Sequence, residues 1–113
     1  MNWLVIFAAL SGAIAVGAGA FGAHGASGTA EEWLKTGGQY QLAHAIAALL
    51  ASSMGARGAG WAFVIGSAIF AGALYAMALG APRWFGAIAP VGGLGMIVGW
   101  CWLAWQARNR TGQ

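Results

Sequence analysis

Four long apolar runs, at residues 3–23, 39–56, 61–81 and 85–105, take up almost the whole chain and leave only short connectors between them. A helix needs about 20 apolar residues to cross a hydrocarbon core of ~30 Å. Three runs reach that length and the second comes close. Charged residues make up only 6% of the sequence, where soluble domains carry about 25%. The solvent for most of this chain is therefore lipid. In hydrocarbon every backbone N–H and C=O must find a partner within the protein, which leaves helices or a closed barrel. Barrel strands alternate polar and apolar residues, and these runs do not. The expected fold is all-α, an integral membrane four-helix bundle that forms one membrane domain over residues 1–113.

The second run is the most polar, with Gln41, His44, Ser52 and Ser53 in it. It reads as a spanning helix because 45–51 is continuously apolar. The first run reads as a retained helix rather than a signal peptide. Ala18-Gly19-Ala20 resembles a cleavage site, but Met1-Asn2-Trp3 carries no Lys or Arg. The run is also longer than a signal core of about 7–15 residues.

The net charge of +3 is spread along the chain and offers no surface for nucleic acid. The single cysteine, Cys101, excludes an internal disulfide and reads as a small packing residue. No metal or nucleotide motif stands in a fitting context, so no cofactor is expected. With four spans, Arg57, Arg108 and Arg110 share one side, and Lys35 and Arg83 share the other with Glu31 and Glu32. The positive-inside rule then puts both termini in the cytoplasm of an inner-membrane protein. Trp3, Trp61, Trp102 and Trp105 form the inner aromatic belt; Trp33 and Trp84 sit near the outer one.

Lipid gives helices no hydrophobic reason to meet, so small residues that allow close backbone approach matter. Ser11, Ala15 and Gly19 form one such stripe, and Ala68, Gly72, Ala76 and Gly80 a second. Gly95 and Gly99 form a GxxxG pair. These stripes are expected to hold the bundle together, with a homo-oligomer seam as the competing reading. Gly72→Leu is expected to disturb packing more than Leu79→Ala.

Four blocks carry a resemblance: Gly19-Ala-Phe-Gly-Ala-His24, Gln39-Tyr-Gln-Leu-Ala-His44-Ala, Gly72-Ala-Leu-Tyr75, and Pro90-Val-Gly-Gly-Leu-Gly95 followed by Gly99-Trp100. In this order and spacing the chain resembles the YgdD/YwdK-like family of small membrane proteins of unknown function. The resemblance covers nearly the full length. It implies a four-helix inner-membrane protein and no activity.

The polar residues gather as a candidate network or ligand site: His24, Gln39, Tyr40, Gln41, His44, Tyr75 and Arg83. Glu31, Glu32 and Lys35 lie in the connector beside them. All fall at one membrane face or in the outer half of the bundle, with His44 about 7–8 Å into its helix. Ionisable groups at membrane depth mark a site or a paired structural contact. His44 and Tyr75 are expected to share one hydrogen-bonded network, joined by Gln39, Gln41 or His24. His24 and His44 converging on a metal or haem iron is a second reading. Contact with a lipid headgroup, a quinone or a partner subunit is a third. A proton-coupled exporter is disfavoured, because the only acids lie in the connector. No catalytic set is present, since the chain has no Asp and no Cys near a His in the topology, so no enzyme is expected. The leading expectation is an accessory or scaffold protein. It would contact the bilayer and pack with membrane partners or with itself. The rival is a binding protein for a small apolar, lipid, quinone or haem-like ligand in the outer half of the bundle.

Overall fold

The computed structural model describes residues 1–108; Arg110 and Gln113 lie outside them. Four α-helices account for most of the described residues: α1 (Trp3–Gly25), α2 (Gly28–Ser53), α3 (Arg57–Ala78) and α4 (Ala89–Arg108). A short 3-10 turn, Arg83–Ala87, leads into α4. At 1.5 Å per residue the helices are about 30–39 Å long. Asn2 caps α1 by accepting from the Val5 amide at 3.3 Å. Its Oδ1 also accepts from Arg57 Nη1 at 3.2 Å, which ties the start of α1 to the start of α3. α2 and α3 both end in Schellman turns. Gly55 (φ 76°) and Gly80 (φ 108°) take the left-handed position. The amides of Ala56 and Ala81 reach back to the carbonyls of Ala51 (2.8 Å) and Ala76 (2.9 Å).

α2 differs from its sequence-based bounds. It starts at Gly28 rather than near 39, because only Ala26 and Ser27 form the turn out of α1. Residues 30–35 are good helix formers, and Glu31 in the first turn complements the positive end of the helix dipole. The assumed connector with Glu31, Glu32 and Lys35 is therefore helical. α3 and α4 are likewise shifted by a few residues from 61–81 and 85–105. α1, α3 and the stretch Arg83–Arg108 are each long and apolar enough to cross a membrane. α2 is more polar, yet it runs antiparallel against both α1 and α3. It therefore lies alongside them wherever they cross.

The packing is inverted relative to a soluble protein. The buried positions are dominated by Ala and Gly, with Leu4, Phe63 and Met96 among the few large side chains. Leu10, Ile14, Leu50, Ile65, Leu94 and Ile97 are all at least half exposed. Such a surface requires hydrocarbon around it. The tightest contact joins α3 to α4. A Cβ on Gly66 would stand 2.7 Å from the Met96 amide, and one on Gly92 would stand 2.5 Å from the Gly66 carbonyl. Gly95 and Gly99 lie on this same seam, against Gly66 and the Phe63 ring. Ser11 and Ala15 face α2, where a Cβ on Gly38 would come 3.1 Å from the Ala15 carbonyl, whereas a Cβ on Gly19 meets nothing within 4 Å.

The α3 stripe is a correction. Ala68 and Gly72 face outward, Ala76 is half-buried, and Gly80 lies past the helix in its closing turn. A Cβ on Gly72 meets nothing within 4 Å, so the expected packing damage from Gly72→Leu has no structural basis. The inward face of α3 is set instead by Ala59, Phe63, Gly66, Ser67 and Leu74. α3 packs against α1, α2 and α4, whereas α1 and α4 do not pack face to face. Part of α3 is thus left bare between them.

Candidate ligand groove and buried polar pairs

α2 turns two polar side chains inward, one helical turn apart, toward different neighbours. Gln41 is 4% exposed. Its Oε1 accepts from the Tyr75 hydroxyl at 2.7 Å, and its Nε2 donates to Ser11 Oγ at 3.0 Å. One amide thereby links α1, α2 and α3. Gly37 makes room for this: a Cβ there would stand 2.7 Å from the Tyr75 ring, which crosses α2 to reach Gln41.

His44 turns toward α4. Its Nε2 accepts from the Trp100 indole N–H at 3.0 Å, and its Nδ1 lies 2.7 Å from the Tyr40 carbonyl oxygen. An indole N–H only donates, so Nε2 is the bare nitrogen and Nδ1 carries the hydrogen that the Tyr40 carbonyl accepts. Both ring nitrogens of the neutral imidazole are satisfied inside the protein. The ring also packs against Phe63 at 5.6 Å between centroids.

The expected single network is therefore two. Tyr75 pairs with Gln41, which pairs in turn with Ser11, and His44 pairs with Trp100. Depth changes as well. His44 lies 16 residues from the start of α2 and nine from its end, about 24 Å and 14 Å along the axis. It belongs to the middle of the bundle rather than the outer half, because α2 begins eleven residues earlier than the apolar run suggests. His24 and Arg83 are exposed near the opposite end, with Glu32 and Lys35, whereas Gln39 is exposed close to the middle of α2. His24 and His44 do not converge, and no group of three His, Cys, Asp or Glu able to hold a metal occurs among the described residues.

Two grooves flank these pairs. The larger, of about 420 Å³, lies between α2 and α4. Tyr40 and His44 form one wall, Gly93, Met96, Ile97 and Trp100 the other, and Phe70 of α3 the floor. The smaller, of about 240 Å³, lies between α1 and α3 beside Ser11 and Gln41. Only the first falls within the range of about 300–1,000 Å³ usual for small-molecule sites. Trp100, Phe70 and Met96 were not singled out as site residues. Trp100 did carry a signal: it lies five residues inside the end of its run, where an indole N–H needs a partner that hydrocarbon cannot supply.

Comparison with known proteins finds relatives that are membrane proteins. The family described as "Protein of unknown function (DUF423)" matches residues 18–93. The chain belongs to the DUF423 family. Among its relatives is the UPF0382 inner membrane protein YgdD of Escherichia coli K12, 41% identical over 110 residues, which cover 88% of this chain and 84% of that protein. A UPF0382 membrane protein of Staphylococcus epidermidis is 38% identical over 111 residues, covering 88% of this chain and 90% of its own. No solved structure matches the chain. The DUF423 match takes in Gln41, His44 and Tyr75, whereas Ser11 and Trp100 lie outside it. The family description assigns no activity, and the inverted packing together with relatives described as membrane proteins identifies a small, helical membrane protein.

Proposed function

We propose that the protein is a non-catalytic accessory or scaffold component of the inner membrane, and that a transmembrane helix of a partner, or of a second copy, packs against the bare side of α3. One observation supports this reading: Ala68 and Gly72 face outward with open space over Gly72. Small residues in a row let a second backbone come close, and that contact drives helix association in lipid. The acids Glu31 and Glu32 stand near the start of α2, away from His44.

Gly72→Leu is the test. It should leave thermal stability in detergent within about 0.5 kcal/mol of the parent, as for a surface change. It should abolish oxidative cross-linking of Ala68→Cys protein in membranes, measured with Cys101 replaced by Ser. Failure of Ala68→Cys to form a disulfide-linked dimer would refute packing of a second copy on this face. So would an adduct that Gly72→Leu leaves unchanged.

Orientation forms part of the same proposal. Arg57 and Arg108 lie at the end of the bundle that holds Asn2, and the positive-inside rule assigns that end to the cytoplasm. A reporter fused after Gln113 is expected to be active only as a cytoplasmic fusion, and one inserted at Pro82 only as an external one. The reverse pattern would invert the assignment.

A second reading, a binding protein for a small apolar ligand, is favoured by the α2–α4 groove. Its haem-like variant has no support: His24 is remote, and both His44 nitrogens are engaged. Mass spectrometry of lipids retained after purification in mild detergent tests it. A stoichiometric retained molecule that Gly93→Leu removes is the expected result.

A further inference from the structure

The larger groove contains no charged side chain, so its occupant is neutral. Tyr40, Ile97 and Trp100 are each about half exposed at its edge, which opens it sideways to hydrocarbon. An occupant then enters from the bilayer and leaves lipid tails behind. A saturated acyl chain gains nothing by that exchange, because the tails are as apolar as the groove. Binding must rest on interactions that lipid tails lack.

The groove offers two. The first is aromatic faces. Tyr40 meets Phe70 at 5.0 Å between centroids and stacks on His44 at 6.3 Å, and Trp100 stands edge-on to His44 at 5.8 Å. Such faces favour another flat ring in offset or tilted contact. The second is one hydrogen-bond donor. The indole N–H of Trp100 and the Nδ1–H of His44 are already committed. The Tyr40 hydroxyl is the remaining polar hydrogen of the lining, and it has no acceptor among the described residues. The Trp100–His44–Tyr40 carbonyl sequence holds both walls in register around the slot.

We propose that the α2–α4 groove binds the head ring of a lipid-soluble quinone, stacked among Tyr40, Phe70 and Trp100, with a ring carbonyl oxygen accepting from the Tyr40 hydroxyl and the tail lying in the bilayer. The proposal rests on the second reading above. A volume of about 420 Å³ holds a one- or two-ring head with the first carbons of its tail.

The experiment uses the full chain in nanodiscs of defined phospholipid, titrated with decylubiquinone and followed by quenching of tryptophan fluorescence. Saturable quenching is expected. Tyr40→Phe, which removes one neutral hydrogen bond, should weaken binding about five- to tenfold. A Cβ on Gly93 meets nothing within 4 Å, so Gly93→Leu should keep the parent helicity by circular dichroism, fill the slot and abolish saturation. Quenching that rises linearly and equally in parent and Gly93→Leu reports partitioning into lipid and overturns the proposal. Occupation of the groove by a sterol or phospholipid that the quinone cannot displace overturns the quinone assignment but preserves a ligand groove. No occupant of any class defeats both.

Discussion

Replacing Gly92 by alanine is expected to cause the largest loss of stability of any single methyl added to this protein. The new Cβ would meet backbone on two sides, the Gly66 carbonyl at 2.5 Å and the Phe70 amide closer still. A crowded side chain can rotate away, whereas two crossing backbones can only separate. Overpacking costs typically about 1–3 kcal/mol, and with no rotamer to relieve it the upper end, about 3 kcal/mol, is expected. Separation of α3 from α4 would also pull Trp100 away from His44. Unfolding in detergent, monitored by circular dichroism against temperature or added SDS, measures the effect. Gly72→Ala is the matched control, since its methyl enters open space. Equal stability of the two variants would mean that α3 and α4 do not meet at Gly66 and Gly92.

Gln41→Leu is expected to have the second largest effect. It keeps approximate volume but removes both bonds of the amide, leaving the Tyr75 hydroxyl and Ser11 without this partner. Membrane hydrogen bonds average only about 0.6 kcal/mol, with a maximum of ~1.7. Two lost bonds together with the unpaired groups they leave give about 1–3 kcal/mol. Tyr75→Phe removes one bond and should cost less. In a double-mutant cycle Gln41→Leu and Tyr75→Phe should be non-additive, because they share the bond between Tyr75 and Gln41. Strict additivity would show that the two side chains act independently.

These two sites show where sequence reasoning reached its limit. The polar residues that matter were visible: Gln41, His44 and Tyr75 stand out in apolar runs, and hydrocarbon obliges each to find a partner. Which partner each takes was not visible. His44 and Tyr75 seemed level when α2 was started near residue 39. The helical turns at 28–38 move His44 to mid-bundle and leave Tyr75 beside Gly37 and Gln41. The small-residue stripes show the same division. The Gly95–Gly99 pair, and Ser11 and Ala15 of the α1 stripe, face neighbouring helices. In the equally regular Ala68–Gly72–Ala76 stripe, Ala68 and Gly72 face outward and Ala76 is only half-buried, and the tightest seam uses Gly66 and Gly92. In a chain with 20 glycines, spacing cannot distinguish a stripe that is used from one that is not.

By itself the sequence determined the solvent, the helical class and the number of helices. These follow from run length, low charge and the rule that backbone groups in hydrocarbon pair internally, all of which are local or additive along the chain. Only the tertiary structure decided which face of each helix looks inward, that Gln41 serves α1 and α3 while His44 serves α4, and that a groove remains between α2 and α4. Those outcomes depend on helix rotation and axial register. Both are set by contacts between residues far apart in sequence, such as Gly66 with Gly92 and His44 with Trp100, and no periodicity within one helix encodes them.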